Sequence, residues 1–360
     1  MKRIALIGGA LLLATLIILL SVFGLHRGTT HAFRNRYLRV VPGSIAWLGK
    51  MRVGGAEQWL LIRGINRKHP VVLFVHGGPG GPTMYLAHRF QRQLEREFVM
   101  VQWDQRGAGK SYDAREPSDS LTLRRTLDDT YEITRWLRKE FKQNRIYIVG
   151  HSWGSQVGLL AIREHPEYYR AFIGIGQMAA DTARERVVQR QWLKQVAYES
   201  NDRELADRIN NYGDITDVDI FKHRGQLHTH KSFLPLLSSS FRAPEYTWLD
   251  VLHITRGEAF VSSHMQENVI RGSLEANVRH VSVPVFFFIG AHDYVTPWPL
   301  AIEYFRLLDA PYKRAVWFTN SAHYPFFEES RRFTAQMHLM RRETDGYWKA
   351  LKRGKSLPRP

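Results

Sequence analysis

Residues 146–154, IYIVGHSWG, carry an apolar run straight into a serine that stands between two glycines. Ser152 fits the pattern Gly-x-Ser-x-Gly, with a predicted strand at 145–150 before it and a predicted helix at 153–164 after it. In that context the pattern indicates a sharp strand–turn–helix that exposes one nucleophilic hydroxyl. Side chains at the glycine positions would collide with neighbouring elements. The helix start would also offer a free main-chain N–H to a developing oxyanion.

Short apolar runs separated by helix-length segments recur along the chain, and they predict strands that alternate with helices. Apolar residues between 121 and 142 stand near helical spacing, and the composition around 84–96 is also helical. This alternation is typical of a mostly parallel sheet that is covered by helices on both faces. The predicted strands are 58–64, 71–76, 98–104, 145–150, 169–176, 283–290 and 314–320.

The interval 178–282 breaks this rhythm, because it is polar, rich in helix-forming residues and without a strong strand. We predict a helical cap that is inserted over the strand ends, where α/β sheets bind their ligands. The predicted units are a membrane anchor (1–28), a basic linker with a first edge strand (29–54), a core in two parts (55–177 and 283–340), the cap (178–282) and a basic tail (341–360).

The composition is that of a globular chain of 360 residues, with 44% hydrophobic and 24% charged residues. The chain contains no cysteine, which excludes disulfides, thiolate metal sites and a cysteine nucleophile. The net charge of +17 is compatible with a nucleic acid, an anionic lipid or an acidic substrate as partner. No helix-turn-helix signature, zinc-finger spacing or RNA-binding motif stands in the sequence, so we expect no nucleic-acid partner.

Residues 4–25 form a run without any charged side chain. As a helix this run would span about 33 Å, which is enough for the hydrocarbon core of a bilayer. A cleaved signal peptide has a shorter apolar region and a better cleavage site than 22–24, so an uncleaved single-pass anchor is favoured. The flanking charges conflict: Lys2 and Arg3 favour an N-terminus inside, whereas four arginines between 27 and 39 favour the reverse. The expectation is a membrane protein whose globular part faces outward.

A serine nucleophile needs a base and a group that orients the base. After a strand–turn–helix of this kind, an acid and then a histidine are expected behind later strands. Asp293 stands just past the predicted strand that ends at Gly290, and His323 follows the last predicted strand. The alternatives are a turn-forming aspartate and a surface histidine, but their position behind successive strands favours a triad with Ser152. His292 precedes the last strand and is interpreted as a local packing residue.

The stretch 75–82, VHGGPGGP, directly follows a predicted strand. Its glycines allow the backbone to turn N–H groups towards the serine, and we predict an oxyanion hole formed by the N–H groups of Gly78 and Trp153. A phosphate-binding loop is the alternative, but the stretch lacks the Gly-Lys-Ser/Thr or Gly-x-Gly-x-x-Gly continuation that such a loop requires. We predict neither a metal site nor a cofactor.

The stretch 103–111, WDQRGAGKS, follows the next predicted strand. Its Gly-Lys-Ser ending looks like part of a phosphate loop, but an aspartate occupies position 104, where that loop needs a glycine. Asp104 and Arg106 are therefore interpreted as a charge pair that fixes the loop near the site.

Together, HGGPGG, WDQRGAGKS, GHSWG, the aspartate after a glycine-terminated strand and the late Ser-Ala-His resemble the α/β-hydrolase superfamily, and more narrowly its proline iminopeptidase-like branch. The resemblance covers residues 55–335, and it implies the α/β-hydrolase fold. Two departures concern the peptidase activity. His151 stands where that branch usually has glycine, and the cap does not clearly reproduce the acidic cluster that holds a substrate's free amine. The candidates for that cluster are Glu258, Glu267 and Glu275.

The sequence thus predicts a serine hydrolase that acts on a small molecule or a short peptide. From the resemblance, the first expectation is an aminopeptidase of the proline iminopeptidase type, which removes an N-terminal residue. A carboxylesterase or amidase on small acyl substrates is the alternative, and a ligand-binding protein without turnover is a weaker one. An acidic pocket in the cap would favour the peptidase, whereas an apolar pocket would favour the esterase.

Overall fold

An eight-stranded β-sheet forms the centre of the computed structural model, which describes residues 28–265 and 273–354. The strands are β1 Ile45–Val53, β2 Ala56–Gly64, β3 Val71–Val75, β4 Val99–Asp104, β5 Ile146–His151, β6 Tyr169–Ile175, β7 Val285–Gly290 and β8 Lys313–Phe318. Across the sheet they run in the order β1-β2-β4-β3-β5-β6-β7-β8. The pairs β1–β2 and β2–β4 are antiparallel, and the other neighbouring pairs are parallel. The predicted mostly parallel sheet is confirmed.

The apolar strands lie in the middle of the sheet because both of their faces are covered. All the residues of β3, VVLFV, are buried. Val71, Leu73 and Val75 face one hydrophobic core, whereas Val72 and Phe74 face another. A strand that is buried on both faces has no place for alternating polar residues, so it stands in the sequence as a continuous apolar run.

Helices connect the strands and cover the two faces of the sheet. The α-helices are α1 Ala87–Phe90, α2 Leu123–Glu140, α3 Trp153–Glu164, α4 Thr182–Glu199, α5 Arg203–Tyr212, α6 Asp217–Lys222, α7 Leu234–Ser240, α8 Trp248–Met265, α9 Leu274–Asn277, α10 Trp298–Leu307, α11 Pro325–Glu328 and α12 Ser330–Lys352. Short 3-10 helices lie at Met84–Leu86, Leu94–Arg96, Gly109–Ser111, Ser118–Ser120 and Pro166–Tyr168. α2 begins behind Thr122, whose side chain accepts the N–H of Arg125 as an N-cap.

In the described part of the chain, α4 to α9 lie between β6 and β7, and we call them the inserted helices. Fewer of their residues are buried than in the central strands. In α4, for example, the buried residues are Gln189, Leu193 and Ala197. Leu193 belongs to a small separate core, against which the partly buried Tyr294 and Val295 pack. The inserted helices therefore rest on the loop that follows β7.

The predicted membrane localisation is contradicted by the helices that the structure describes. Within residues 28–265 and 273–354, no helix is long and apolar enough to cross a membrane. An interaction with a membrane is accordingly unsupported. The run 4–25, on which the prediction of an anchor rested, lies outside the described residues. At the other end, α12 extends to Lys352, past residue 340, where the predicted core ends and the basic tail begins.

Candidate active site

Ser152 lies on the tight turn between β5 and α3, and its backbone is strained. Its φ of 52° and ψ of −122° fall in a region that residues with a side chain rarely adopt. A Cβ on Gly150 would lie 2.2 Å from the carbonyl oxygen of Gly154, and a Cβ on Gly154 would lie 2.1 Å from the carbonyl oxygen of Val75. The turn needs glycine on both sides of the serine because main-chain atoms approach so closely there.

His323 and Asp293 lie side by side in the loops that follow β8 and β7. The His323 Nδ1 atom is 2.9 Å from Asp293 Oδ2, and the two side chains are 3% and 2% exposed. The aspartate is also held by its own turn: Oδ1 accepts the N–H groups of Val295 and Thr296, and Oδ2 accepts the Thr296 hydroxyl at 3.0 Å. An aspartate at Nδ1 keeps the proton on that nitrogen, so Nε2 of a neutral ring can accept one. His323 and Ser152 line one cavity.

Gly176, the residue directly after β6, lies against the His323–Asp293 pair and was not predicted from the sequence. Its φ is +51°, and a Cβ there would lie 2.7 Å from His323 Cε1 and 3.3 Å from Asp293 Oδ2. Both the left-handed backbone and the lack of space therefore require glycine. The only signal in the sequence is a glycine at the end of a predicted strand, which is too common a feature to point to a site.

His151 holds the loop of His323. Its Nε2–H donates to the main-chain oxygen of His323 at 2.9 Å, and the centroids of the two rings are 4.7 Å apart. The ring also contacts Tyr324 and Phe326. Burial, reinforced by His323, lowers the pKa of His151 well below its usual value, so the ring is neutral. His151 stands where the proline iminopeptidase-like branch usually has glycine. Its side chain thus connects the turn of Ser152 with the loop of His323.

The glycines after β3, which we call the glycine loop (residues 77–81), bring the backbone against Ser152. A Cβ on Gly77 would lie 2.9 Å from the Ser152 Cβ. Gly78 has a φ of 111°, and within the described residues no main-chain hydrogen bond uses its N–H. The Trp153 N–H lies in the first turn of α3, where main-chain donors have no acceptor within the helix. The two predicted oxyanion-hole residues therefore flank the serine.

His76, directly before the glycine loop, joins it to the loop that follows β4. Its Nε2 atom accepts the N–H of Gln105 at 3.0 Å, and the side-chain amide of Gln105 donates to the His76 carbonyl oxygen at 2.9 Å. Burial lowers the pKa of His76 to about 4. The ring is therefore neutral at physiological pH and remains an acceptor at Nε2.

Asp104 and Arg106 do not form the charge pair that the sequence analysis predicts. The Arg106 guanidinium binds Asp129 and Glu116, at 3.1 and 2.6 Å. Asp104 instead accepts the hydroxyl of Tyr246, which lies between α7 and α8. Burial raises the pKa of Asp104 to about 7, although the Tyr246 hydroxyl opposes the rise. The loop is thus held by two separate networks, one to α2 and its neighbourhood and one to the inserted helices.

A cavity of about 360 Å³ lies over Ser152 and His323. Its walls come from the glycine loop and from the inserted helices. Glu258 of α8 and Glu185 of α4 both line it. Glu258 lies beside the glycine loop, since a Cβ on Gly81 would be 3.3 Å from its Oε1 atom. Three acidic side chains, Glu185, Asp217 and Glu258, thus line the cavity with one basic side chain, Arg186.

The three acidic residues predicted for substrate binding have different positions. Glu258 lines the cavity. Glu275 forms an ion pair with Arg184 and is not among the residues that line the cavity. Glu267 lies outside the described residues. Glu185 was not predicted, because one more acidic residue in a polar helical segment carries no signal of its own.

Burial changes the pKa of two of the carboxyl groups that line the cavity. It raises the pKa of Glu185 to about 8, and the nearby charge of Asp293 adds to the rise. It also raises the pKa of Glu258. Residue Glu258 is nevertheless exposed as a whole, so its carboxyl group has lost only part of its solvation. A cation bound beside either carboxylate would replace the solvation that each has lost.

The histidines of the site are engaged with protein partners. His323 binds Asp293, His151 binds the His323 carbonyl, and His76 binds Gln105. Across residues 28–265 and 273–354, histidine and carboxylate side chains form no group of three or more that could hold a metal ion. Each of these three imidazole rings thus has a hydrogen-bond partner within the protein.

Known proteins resemble this chain over most of its length. The family model of the α/β hydrolase fold matches residues 70–330. A Bacillus subtilis protein named "Probable aminopeptidase" is 30% identical over 302 residues, which cover 81% of this chain and 94% of that protein. A proline iminopeptidase of Heyndrickxia coagulans is 25% identical over 278 residues, which cover 73% of this chain and 88% of that protein.

A solved structure shows the same fold. The crystal structure of the proline iminopeptidase of Mycobacterium smegmatis superposes with a TM-score of 0.59 at 17% identity, covering 83% of this chain and 99% of that one. The names of the relatives and the fold agree with the predicted enzyme of the serine hydrolase class. The chain belongs to the α/β-hydrolase fold family, and its relatives are of the proline iminopeptidase type.

Proposed function

We propose that this chain is an aminopeptidase of the proline iminopeptidase type, which removes the N-terminal residue from short peptides. The observation that carries the proposal is the Glu258 carboxylate, which lies beside the glycine loop in the cavity that contains Ser152. The free N-terminal amine of a peptide is largely protonated at neutral pH, and a carboxylate in a cavity selects for it. The names of the curated relatives support the same assignment.

In the proposed reaction, Ser152 attacks the carbonyl carbon of the N-terminal residue and His323 takes the serine proton. The tetrahedral intermediate collapses when His323 gives that proton to the leaving amine, which leaves an acyl-enzyme on Ser152 and releases the shortened peptide. Water then attacks the acyl-enzyme by the same two steps and the free amino acid departs. Asp293 keeps the proton of the resting imidazole on Nδ1 and stabilises the imidazolium.

The negative charge of the intermediate needs donors that are in position before the reaction begins. We assign this role to the N–H groups of Gly78 and Trp153, which flank Ser152 from the glycine loop and from the start of α3. Removal of one such donor costs about 3 to 4 kcal/mol of transition-state stabilisation. The close contact of Gly77 with Ser152 supports this assignment, because it brings the glycine loop within reach of the reacting carbonyl.

The surroundings of Glu258 support an ionic contact with the substrate. Tyr85 and Tyr324 line the cavity with it, and burial together with the Glu258 charge raises the pKa of both tyrosines. Their hydroxyls therefore stay protonated and do not compete with Glu258 for a cation. A hydrogen bond to a charged group contributes about 1.5 to 3 kcal/mol.

The alternative is a carboxylesterase or amidase that acts on small acyl substrates. Ile220, Ile254 and Val295 give the cavity some apolar surface, and this is the observation in its favour. Such an enzyme would use the same serine but would have no need of a free amine. Its acyl group would lie against a carboxylate, which is an unfavourable neighbour for an apolar chain.

Three substrates and one variant test the proposal. Proline p-nitroanilide is compared with N-acetylproline p-nitroanilide, which lacks the charged amine, and with p-nitrophenyl acetate. We expect kcat/KM to be at least about tenfold higher with the free amine than with the acetylated compound. Ser152→Ala should abolish turnover and labelling by a fluorophosphonate probe, whereas Ser200→Ala, on the surface at the end of α4, should retain both.

Each outcome decides a separate point. Turnover of the ester alone would show that the peptidase assignment is wrong. Equal turnover of the free and acetylated anilides would remove the role of Glu258 in binding the amine. Labelling of Ser152→Ala to the extent of the wild type would contradict the assignment of Ser152 as the nucleophile.

A further inference from the structure

Glu185 lines the cavity but has no role in the proposed reaction. It belongs to α4, and Gln189 follows one turn later on the same face of that helix. The Gln189 side-chain amide donates to the carbonyl oxygens of Tyr294 and Val295, at 2.9 and 3.1 Å. Both carbonyls belong to the turn that carries Asp293. α4 is therefore attached to this turn, and it holds Glu185 near the His323–Asp293 pair.

The order of the strands separates Glu185 from Glu258. Ser152 follows β5; the glycine loop follows β3, which is the neighbour of β5 on one side. The turn of Asp293 follows β7, which lies two strands away on the other side. Glu258 is next to Gly81 of the glycine loop, whereas the charge of Asp293 reaches Glu185. The two carboxylates thus approach the serine from opposite sides.

Glu185 has no ion-pair partner among the residues that the structure describes. The adjacent Arg186 is paired with Asp217 at 2.8 Å. The other charged groups whose fields reach Glu185 are Asp181 and Asp293, and both are negative. Burial raises the pKa of Glu185 to about 8 despite the attraction of Arg186. At neutral pH the free Glu185 side chain is therefore mostly protonated, and a positive charge bound beside it would lower its pKa by about 1 to 3 units and so favour the carboxylate.

The proposed reaction determines which part of a substrate comes close to Glu185. His323 gives its proton to the leaving amine, so the leaving peptide must lie on the His323 side of Ser152. The oxyanion points to Gly78 on the other side, and the N-terminal amine reaches Glu258. The second residue of the substrate, which is the first residue of the leaving peptide, is then the part beside Glu185.

We propose that Glu185 binds a positive charge on the second residue of the substrate, so that the enzyme prefers peptides in which lysine or arginine follows the N-terminal residue. The inference rests on the proposed function, because it requires a leaving amine on the side of His323. The ionised form of Glu185 repels a glutamate in second position. The net charge of +17 acts on all cationic substrates alike and is screened over about 8 Å at physiological ionic strength.

Three dipeptide amides with proline first and lysine, norleucine or glutamate second test this subsite. The amide removes the C-terminal carboxylate, which could otherwise reach Arg186. The release of proline is measured at 0.15 M salt and at pH 8, where about half of the free Glu185 side chains are ionised. We expect kcat/KM of the wild type to be about tenfold higher for the lysine compound than for the norleucine compound, and lowest for the glutamate compound.

Substitutions on α4 assign the preference to one side chain. Glu185→Gln should bring the ratio of lysine to norleucine close to one, and Glu185→Lys should place the glutamate compound first. The matched control is Glu199→Gln, which removes the same charge from the exposed end of the same helix and should keep the ratio of the wild type. Glu185→Asp retains the charge and should retain the preference in direction.

The outcomes separate this subsite from the proposed function. Equal kcat/KM values for the lysine and norleucine compounds in the wild type, or an unchanged ratio in Glu185→Gln, would overturn the subsite while proline is still released. No release of proline from the three amides or from proline p-nitroanilide would overturn the proposed function itself. If Glu185→Gln does not fold, Glu185→Asp and the order of the three compounds in the wild type still decide, because equal kcat/KM values in the wild type would overturn the subsite.

Discussion

The loops at the strand ends and the inserted helices meet at one cavity, but they are built differently. The strand loops hold Asp293 and His323 almost fully buried, and glycine stands where a Cβ would collide with them or with the turn of Ser152. The inserted helices contribute Glu185 and Glu258 from helices with few buried residues. We infer that substitutions in the strand loops stop the chemistry, whereas substitutions in the inserted helices change which substrate is accepted.

The largest effect is expected in the strand loops from Asp293→Asn. The amide keeps the size of the side chain but favours the wrong tautomer of His323, so kcat should fall by about 10⁴-fold. The control is Asp113→Asn, at an exposed aspartate that pairs with Arg115 and is not among the residues that line the cavity. Steady-state kinetics with proline p-nitroanilide measure both variants. A kcat within tenfold of the wild type would exclude Asp293 from the triad.

Gly176→Ala tests whether the reaction depends on the space that Gly176 leaves for the His323 ring. The new Cβ would lie 2.7 Å from His323 Cε1, and we expect the displaced ring to lower kcat by about 100-fold. Gly213→Ala is the matched control, because Gly213 also has a positive φ of 66° but its nearest side-chain atom is 3.6 Å away. Both variants should lose about 1 kcal/mol of unfolding free energy. Equal kcat values for the two would contradict the steric argument.

Glu258→Gln tests the inserted helices. The loss of one charged hydrogen bond should lower the preference for proline p-nitroanilide over its acetylated form by about tenfold, mainly through KM. Glu275→Gln removes the same charge from a residue that pairs with Arg184 and does not line the cavity, so it should keep the preference. An equal loss in both variants would show that Glu258 does not bind the amine.

The last prediction concerns stability and pH and leaves kcat aside. The pKa of Glu185 is about 8 in the folded chain against 4.5 for an ordinary glutamate, because burial and Asp293 favour the protonated form. Between these two pH values the folded chain holds a proton that the unfolded chain has lost. The stability of the wild type should therefore fall relative to Glu185→Gln as the pH rises from 4.5 to 8. Urea unfolding across this range measures the difference, and parallel curves would contradict it.

The strands could be predicted because burial on both faces leaves a local pattern of apolar residues, as in 71–76 and 283–290. The limits of α3 were also predicted, since the glycine pattern marks its start. The segment 84–96 was predicted to be helical, but it forms α1 and two 3-10 turns. Phe90 and Leu94 of this segment are buried in one core, and such contacts decide where short helices begin and end.

The predictions for the site likewise include one pairing that the structure contains and one that it does not. The pairing of Asp293 with His323 follows from their positions behind adjacent strands of the sheet, which the order of the elements implies. The partners of Asp104 and Arg106 were predicted incorrectly. The chain places these residues close together, yet Tyr246 and Asp129 reach them from other elements. Proximity along the chain is a poor guide where distant side chains compete for the same charge.

The sequence by itself determined the parallel sheet and the turn that exposes Ser152, because both depend on residues that are close together along the chain and on the sterics of glycine. Only the tertiary structure decided that Gly176 borders His323 and that Glu185 and Glu258 face one cavity. The direction in which an inserted helix points a side chain depends on how that helix packs against loops from distant parts of the chain. No local pattern of residues records that arrangement.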